Sequence, residues 1–179
     1  AGSRGRERFA EHPYVTMKFK GFDVDLVPCY DIAEPSIIKS AVDRTPHHQK
    51  YMKGKLTPEI ADEVLLTKKF MNGIGVYGAE LKVQGFSGYL CELLTLHYGS
   101  FIKLVKAASE WRPGIVIDQE RSHANESELK TIFEGQPLVV IDPVDKGRNV
   151  AAAVSMQNFT IFVQACYEFA SEPRREFFY

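Results

Sequence analysis

The chain has 179 residues, of which 45% are hydrophobic and 25% charged, and its formal net charge at pH 7 is −1. This length and apolar content suffice for one sizeable hydrophobic core or two smaller ones. The near-zero charge excludes a uniformly basic nucleic-acid-binding domain, so any affinity for RNA would be local. The longest apolar runs are far too short to cross a bilayer, and we expect no membrane association.

The first predicted elements are two antiparallel strands joined by a short turn. The segments YVTMKF and FDVDLVP flank a Lys-Gly pair. In the second segment apolar residues alternate with Asp23 and Asp25, which indicates a strand with one apolar and one acidic face. Pro28 ends the strand, since proline cannot donate to the ladder. Residues 31–50, which contain two further prolines, are predicted as a connector.

Three predicted helices follow. Each begins at a hydroxyl side chain that can accept a hydrogen bond from the first turn, and these N-caps are Thr57, Ser87 and Ser100. Pro58 suits the first position of the first helix. Asn72-Gly73 and Gly99 supply the stops of the first two helices, since both offer a residue that tolerates a left-handed conformation.

The C-terminal part combines strands with one more helix. GIVID and PLVVID are short apolar runs bounded by Pro and Gly, and we interpret them as strands. The polar residues 119–135 between them are predicted as a loop. From Asn149 to Ala170 the pattern is helical, with Asn149 as N-cap and a break near residues 155–158. Strands, then helices, then a few strands and a helix indicate an α+β fold rather than a repeating βαβ fold.

Cysteine usage favours a reducing compartment. Cys29, Cys91 and Cys166 lie in apolar runs without the C-x-x-C spacing of zinc sites or redox motifs. They are typical of reduced core residues in a cytoplasmic protein rather than of a disulfide framework.

Four sequence blocks together resemble one family. They are GFDVDLVPCY, SAVDRTPHH, GVYGAELKVQGFSGYLCELLTLHYGSF and VVIDPVDKGRNVAAAVS, in this order. The chain closely resembles the archaeal (class I) CCA-adding enzymes, which are tRNA nucleotidyltransferases, from Phe9 onward. The resemblance implies template-independent addition of C, C and A to the 3′ end of tRNA. It also implies CTP and ATP as substrates and Mg²⁺ as cofactor of a two-metal mechanism.

The resemblance further implies a division into two domains. Residues 1–43 would be the end of the catalytic head sheet, and residues 44–179 a helical neck. Asp25 matches the third of three catalytic carboxylates and would be a metal ligand, whereas Asp23 belongs to a solvated strand face. The first two carboxylates of the family lie upstream of the matched region. The chain therefore looks like a fragment, and we expect it to be inactive alone.

The nucleotide-binding residues are also implied by the resemblance, and they are Thr45, His48, Lys68, Tyr77 and Arg148. His48, Lys68 and Tyr77 match contacts of the triphosphate, and Arg148 matches an arginine that recognises the incoming base. The local alignment could slip by one, which makes His47 the alternative to His48.

A structural role is the alternative for Arg148, and structural roles are expected for several other residues. Arg148 could stand at a helix start and pair with Asp142 or Asp145. Glu92 lies in an apolar stripe and needs a partner if it is buried. Trp111 and the terminal Phe177-Phe178 are interpreted as packing groups.

Two other functions also stay open. One is a non-catalytic nucleotide-binding or interaction module derived from the neck, and the other is a scaffold. An open edge of the predicted hairpin invites pairing with another chain, so a homo-oligomer is expected.

Overall fold

The computed structural model describes residues 6–9, 13–33, 37 and 39–179. These residues form two three-stranded sheets and six α-helices, which confirms the predicted α+β fold class. The chain divides into two compact units, residues 1–51 and residues 52–179. We call them the first unit and the second unit.

The first unit is built on an antiparallel sheet in the order β1-β2-β3. Its strands are β1 (Arg6–Phe9), β2 (Pro13–Phe19) and β3 (Phe22–Leu26). Lys20 and Gly21 connect β2 to β3 with φ values of 49° and 87°, as a tight hairpin turn requires. The predicted hairpin is confirmed, and β1 is a further strand that the sequence analysis did not identify.

The hairpin register separates an apolar face from a polar face. Three cross-strand pairs line the apolar face, namely Val15 with Leu26, Met17 with Val24 and Phe19 with Phe22. Asp23 and Asp25 lie opposite Lys18 and Thr16 on the other face. The apolar face is largely exposed among the described residues, with Phe22 at 74%. β3 is an outer strand of its sheet, and self-association through this edge stays a prediction.

Residues 41–50 are helical, so their prediction as a connector is wrong. A 3₁₀ turn spans Ala41–Asp43 and is followed by α1 (Arg44–Lys53). Pro46 lies in the first turn of α1, where backbone N–H groups have no acceptor within the helix. The helix escaped detection because its sequence is polar and Met52 is its one buried residue, which leaves no apolar period to recognise.

Asp43 holds the segment that precedes α1 in place through hydrogen bonds to its backbone. Its side chain is fully buried and accepts hydrogen bonds from the backbone N–H groups of Tyr30 at 2.8 Å, Lys39 at 3.1 Å and Ser40 at 2.8 Å. Burial by itself raises the pKa of this carboxyl, but the N–H donors favour the charged form. The net result is a pKa below the ordinary value of 3.8.

The second unit contains five helices among its residues. They are α2 (Pro58–Gly73), α3 (Gly88–Tyr98), α4 (Phe101–Ala108), α5 (Glu126–Ile132) and α6 (Met156–Ser171). The predicted N-caps are confirmed, since Thr57, Ser87 and Ser100 each accept a hydrogen bond from the first turn of their helix. Gly99, with φ of 80°, ends α3 as predicted. No helix in the described part of the chain is both long and apolar enough to span a membrane.

The loop predicted for residues 119–135 is wrong over the span of α5. That helix has one buried residue, Leu129, so its sequence looks like a polar loop. The last helix begins at Met156, so the helix predicted for residues 149–155 is wrong, and α6 runs without a break through residues 156–158.

The second sheet has the order β4-β5-β6. β4 (Ile115–Ile117) runs parallel to β5 (Leu138–Asp142), and both strands were predicted. β6 (Asp145–Asn149) pairs antiparallel with β5 and was not predicted, because its sequence DKGRN has none of the residues typical of strands. Asn149 ends β6 and is no helix N-cap. Its buried amide instead bonds the backbone of Leu138, Val140 and Ala151.

Aromatic side chains form the part of the core that ties the C-terminus to the helices. Five rings meet with centroid distances of 5.3–5.8 Å, those of Phe70, Phe101, Phe169, Phe177 and Phe178. Trp111 is 7% exposed and stacks on Phe159. Trp111, Phe177 and Phe178 are therefore packing groups, as expected.

Two of the three cysteines are buried in the core, as the sequence predicted. Cys91 and Cys166 are buried, and burial raises the pKa of both thiols, that of Cys91 to about 12. Cys29 is exposed, so its assignment to the core is wrong. It follows Pro28 in the loop after β3, where the chain has already left the sheet.

We predict that Gly73→Ala destabilises the second unit. A β-carbon on Gly73 would lie 2.3 Å from the carbonyl oxygen of Phe177 and 2.7 Å from the backbone of Phe178. The backbone must therefore shift, and the free energy of unfolding should fall by about 1–3 kcal/mol. Gly147→Ala is the matched control, because its nearest neighbour would lie at 3.8 Å. Equal effects of the two substitutions in denaturant titrations would contradict this explanation.

We also predict a pH dependence that originates at Asp43. Because its pKa is lower in the folded state, Asp43 stabilises the fold above pH 3.8, and this contribution disappears as the pH falls through the folded-state pKa. The stability difference between the wild type and Asp43→Asn should therefore narrow on acidification below pH 3.8. A carboxyl-carbon NMR titration checks the pKa directly, and a value above 3.8 would refute the prediction.

Candidate functional site

Lys68 and Tyr77, two predicted nucleotide-binding residues, converge on the first turn of α3. A β-carbon placed on Gly88, the first residue of α3, would lie 3.1 Å from Tyr77 Oη and 3.7 Å from Lys68 Nζ. An ammonium and a hydroxyl therefore flank one small space at this helix terminus. The N-terminal end of a helix adds a partial positive charge and unpaired N–H groups, so the three features together suit an anion.

Lys68 is held by contacts between α2 and α3. Its Nζ lies 2.6 Å from Oε1 of Glu92, and the two side chains are 26% and 25% exposed. Thr67, the preceding residue, accepts a hydrogen bond from Thr95 of α3 at 2.8 Å in the buried contact between the helices. The expectation that Glu92 needs a partner is confirmed, and the partner is Lys68.

Tyr77 is held by a loop that returns alongside it. Phe86 donates its N–H to the Val76 carbonyl and accepts from the Gly78 N–H, both at 2.8 Å. These bonds fix the backbone on either side of Tyr77. Gly85 permits the close approach, because a β-carbon there would lie 2.0 Å from the Val76 carbonyl oxygen.

The same loop is fastened to the start of α6. Nδ2 of Asn158 donates to the carbonyls of Val83 at 2.6 Å and Gln84 at 3.0 Å. The Ser155 N–H donates to the Gln84 carbonyl at 2.9 Å. Sequence reasoning missed Asn158, and no local signal could have found it, because its partners lie 74 and 75 residues away along the chain.

Arg148 lies on β6, so its placement at a helix start is wrong. Its Nη1 donates to Oδ2 of Asp142 at 2.7 Å, which is the structural pairing that the sequence left open. Asp142 is fully buried and also accepts the Val144 N–H at 3.1 Å. Tyr89 Oη approaches the same carboxylate to 3.5 Å. Because Tyr89 follows Gly88, the first turn of α3 lies near both Lys68 and the Asp142–Arg148 pair.

The predicted residues of the first unit lie on β3 and α1. Asp25 is exposed, and its Oδ1 accepts a hydrogen bond from Thr16 at 2.7 Å. Thr45 is exposed on α1, and His48 is half-buried. His47 Nε2 lies 3.0 Å from the Ile32 carbonyl oxygen, to which it donates when protonated there.

The described residues do not by themselves form a Mg²⁺ site. They contain no group of three or more His, Cys, Asp or Glu side chains placed to hold a metal. Mg²⁺ prefers six oxygen ligands in octahedral geometry, and Asp25 can supply one carboxylate. Asp23, two residues away on the same strand face, lies 3.7 Å from Lys18 Nζ instead.

An open cleft of about 500 Å³ lies elsewhere in the second unit. Its walls include Tyr98, Trp111 and the strand residues Ile115 and Val116. None of the predicted site residues lines it, and its charged rim combines two glutamates with one arginine and one lysine. The candidate site is therefore defined by Lys68, Tyr77 and Arg148 rather than by this cleft.

Comparison with known proteins identifies relatives of this chain. Residues 62–179 match the family model described as tRNA nucleotidyltransferase, second domain. CCA-adding enzymes are similar over nearly the whole chain: that of Methanosarcina barkeri is 53% identical over 173 residues, and that of Archaeoglobus fulgidus 48% identical over 171. The alignments cover 97% and 96% of this chain but 36% and 37% of those enzymes.

The chain thus spans little more than a third of the length of these relatives. The family match includes Lys68, Tyr77 and Arg148, and the relatives confirm the resemblance inferred from the four sequence blocks. The chain therefore belongs to the tRNA nucleotidyltransferase family, within which residues 62–179 correspond to the second domain.

Proposed function

We propose that the second unit binds the triphosphate of CTP or ATP at the N-terminal end of α3. In this proposal the binding serves the template-independent addition of C, C and A to the 3′ end of tRNA. The observation that carries it is the meeting of Lys68 Nζ and Tyr77 Oη within 4 Å of one point above Gly88. A phosphate group is bound by such a combination of positive charge and hydrogen-bond donors.

Each residue has a distinct part in this proposal. Lys68 carries three N–H donors, so it can keep one on Glu92 and direct others at phosphate oxygens. Tyr77 supplies a hydroxyl donor, and the first turn of α3 supplies backbone N–H groups. Gly88 lets both donors approach the helix closely, because a β-carbon there would lie 3.1 Å from Tyr77 Oη.

Arg148 is proposed to contact the incoming base. Its guanidinium has five N–H donors in a rigid plane, and the bond to Asp142 holds that plane in one orientation. The remaining donors can meet the edge of a cytosine or an adenine. Since the Arg148 side chain is 36% exposed, a ligand can reach it.

The first unit enters the proposal through Asp25, Thr45 and His48. Asp25 is proposed as a metal ligand of the catalytic head, and Thr45 and His48 as triphosphate contacts. His48 rather than His47 is proposed because the resemblance matches His48 to a triphosphate contact. Residues 1–43 are proposed to belong to the head and residues 44–179 to the neck. Mg²⁺ as the cofactor, tRNA as the partner and the cytoplasm as the location belong to the same proposal.

An ATP titration of the 179-residue chain, followed by NMR chemical shifts, tests the phosphate site. We expect weak binding, with Kd on the order of millimolar, or roughly 4 kcal/mol. Lys68→Met should weaken it about tenfold, because the loss of one charge-assisted contact costs ~1.4 kcal/mol. The matched control is Lys69→Met, since Lys69 lies over the Tyr179 ring at 4.8 Å rather than at Gly88. Equal losses in the two variants would contradict the proposed site.

Gly88→Ala separates binding from stability in the same titration. The new methyl group would crowd Tyr77 Oη and should weaken ATP binding several-fold. Alanine is a better helix former than glycine, so the free energy of unfolding should stay constant or rise by about 0.5–1 kcal/mol. A variant that is stable and binds ATP like the wild type would show that the space above Gly88 is not used.

Asp25→Ala tests the catalytic part in a full-length CCA-adding enzyme that carries these residues. We expect nucleotide addition to fall by about 10³-fold or more, equivalent to ~4 kcal/mol, with tRNA binding nearly unchanged. Asp23→Ala is the control, because Asp23 lies on the same strand face and should not contribute to catalysis. The assay is incorporation of labelled CTP and ATP into tRNA that lacks its CCA end. Normal turnover of Asp25→Ala would favour the alternative of a non-catalytic nucleotide-binding module.

A further inference from the structure

Asn158 lies outside the candidate site, yet it is bonded to the loop that shapes it. It occupies the third position of α6, and its side chain is nearly buried, with the residue 9% exposed. One amide group donates both of its N–H bonds to successive carbonyls, those of Val83 and Gln84. Side chains that bond distant backbone in this way fix a loop conformation.

The loop needs such fixation because its backbone is in an uncommon conformation at the point of attachment. Gln84 has φ of 56°, a left-handed value that non-glycine residues adopt only occasionally. The next residue, Gly85, donates to the Gly78 carbonyl at 2.7 Å. The turn at Gln84 thus decides where Gly85 and Phe86 meet the backbone beside Tyr77.

A continuous series of contacts therefore leads from Asn158 to the phosphate site. Asn158 holds Val83 and Gln84, and Phe86 bonds Val76 and Gly78 on either side of Tyr77. The Tyr77 hydroxyl then stands above Gly88. The ring of Phe86 packs at 4.7 Å on Phe162, one turn further along α6, so the loop and α6 also share core contacts.

We propose that Asn158 is a positioning residue for the triphosphate, acting through Tyr77. Its two N–H donors hold the 78–86 loop in the conformation that places the Tyr77 hydroxyl at the N-terminal end of α3. The inference rests on the proposed function, because Tyr77 is taken to contact phosphate. It adds that α6, which follows the strand of Arg148, controls the geometry of the phosphate end of the site.

Asn158→Asp is the decisive substitution. It preserves size and, as an acidic residue in the first turn of α6, suits the helix dipole. It replaces Nδ2, which carries both N–H donors, by a single carboxylate oxygen that faces the Val83 and Gln84 carbonyls, so the loop must move away. Asn158→Ser shortens the side chain so that it no longer reaches the two carbonyls, and it adds no charge. This variant is used if Asn158→Asp does not fold. Thr160→Ala is the control, since Thr160 bonds only within α6 at Met156.

The experiment is a double-mutant cycle with Tyr77→Phe, measured by ATP titration of the 179-residue chain. We expect Tyr77→Phe and Asn158→Asp each to weaken ATP binding about fivefold, and the double variant to be no weaker than either alone. Amide hydrogen exchange at Gly85 and Phe86 should accelerate at least tenfold in Asn158→Asp and stay unchanged in Thr160→Ala.

The outcomes separate the two proposals. If Tyr77→Phe leaves ATP binding unchanged, the proposed contact of Tyr77 with phosphate is wrong, and the role of Asn158 fails with it. If Tyr77→Phe weakens binding but Asn158→Asp does not, or if the two losses multiply in the double variant, Asn158 is only a structural residue. Unchanged hydrogen exchange at Gly85 and Phe86 would also overturn the inference.

Discussion

The candidate site depends on the absence of a side chain at position 85. A β-carbon there would collide with the Val76 carbonyl oxygen at 2.0 Å, so the two backbone segments can approach only if residue 85 is glycine. This approach closes the 78–86 loop and brings Tyr77 back over the start of α3. Gly88, three residues later, imposes a weaker constraint of the same kind, since a β-carbon there would lie 3.1 Å from Tyr77 Oη.

The charges around this site are arranged in pairs. Lys68 is bonded to Glu92, and Arg148 to the fully buried Asp142. A buried carboxylate is costly unless it is bonded, and each carboxylate in turn restrains a long, flexible cation. Both cations are therefore held in position by carboxylates of the same chain.

The two units differ in how completely they bury their apolar residues. In the second unit, β5 is buried along its whole length and five phenylalanines close the core around the C-terminus. In the first unit, the face formed by Val15, Phe19, Phe22 and Leu26 stays exposed among the described residues. Asp43 is buried in this unit, and its hydrogen bonds hold the segment before α1 in place.

Local chemistry allowed much of the fold to be predicted from the sequence alone. The three hydroxyl N-caps, the glycine stop after α3 and the β2–β3 hairpin depend on residues close together in the chain, and they were predicted correctly. The sequence analysis missed β1, and it also missed α1, α5 and β6, which are polar segments with few buried residues. Because few of their residues are buried, they lack the apolar period by which a helix or strand is recognised in a sequence.

The candidate site was likewise only partly predictable from the sequence. The resemblance to the family indicated Lys68, Tyr77 and Arg148 as individual residues, and Tyr77 and Arg148 lie within two of the four blocks that carry it. Only the tertiary structure showed that Lys68 and Tyr77 share the space above Gly88, that Glu92 and Asp142 are the partners of the two cations, and that Asn158 holds the loop. These relations join residues 6 to 75 positions apart, and in a folded chain such distances are decided by packing rather than by local sequence.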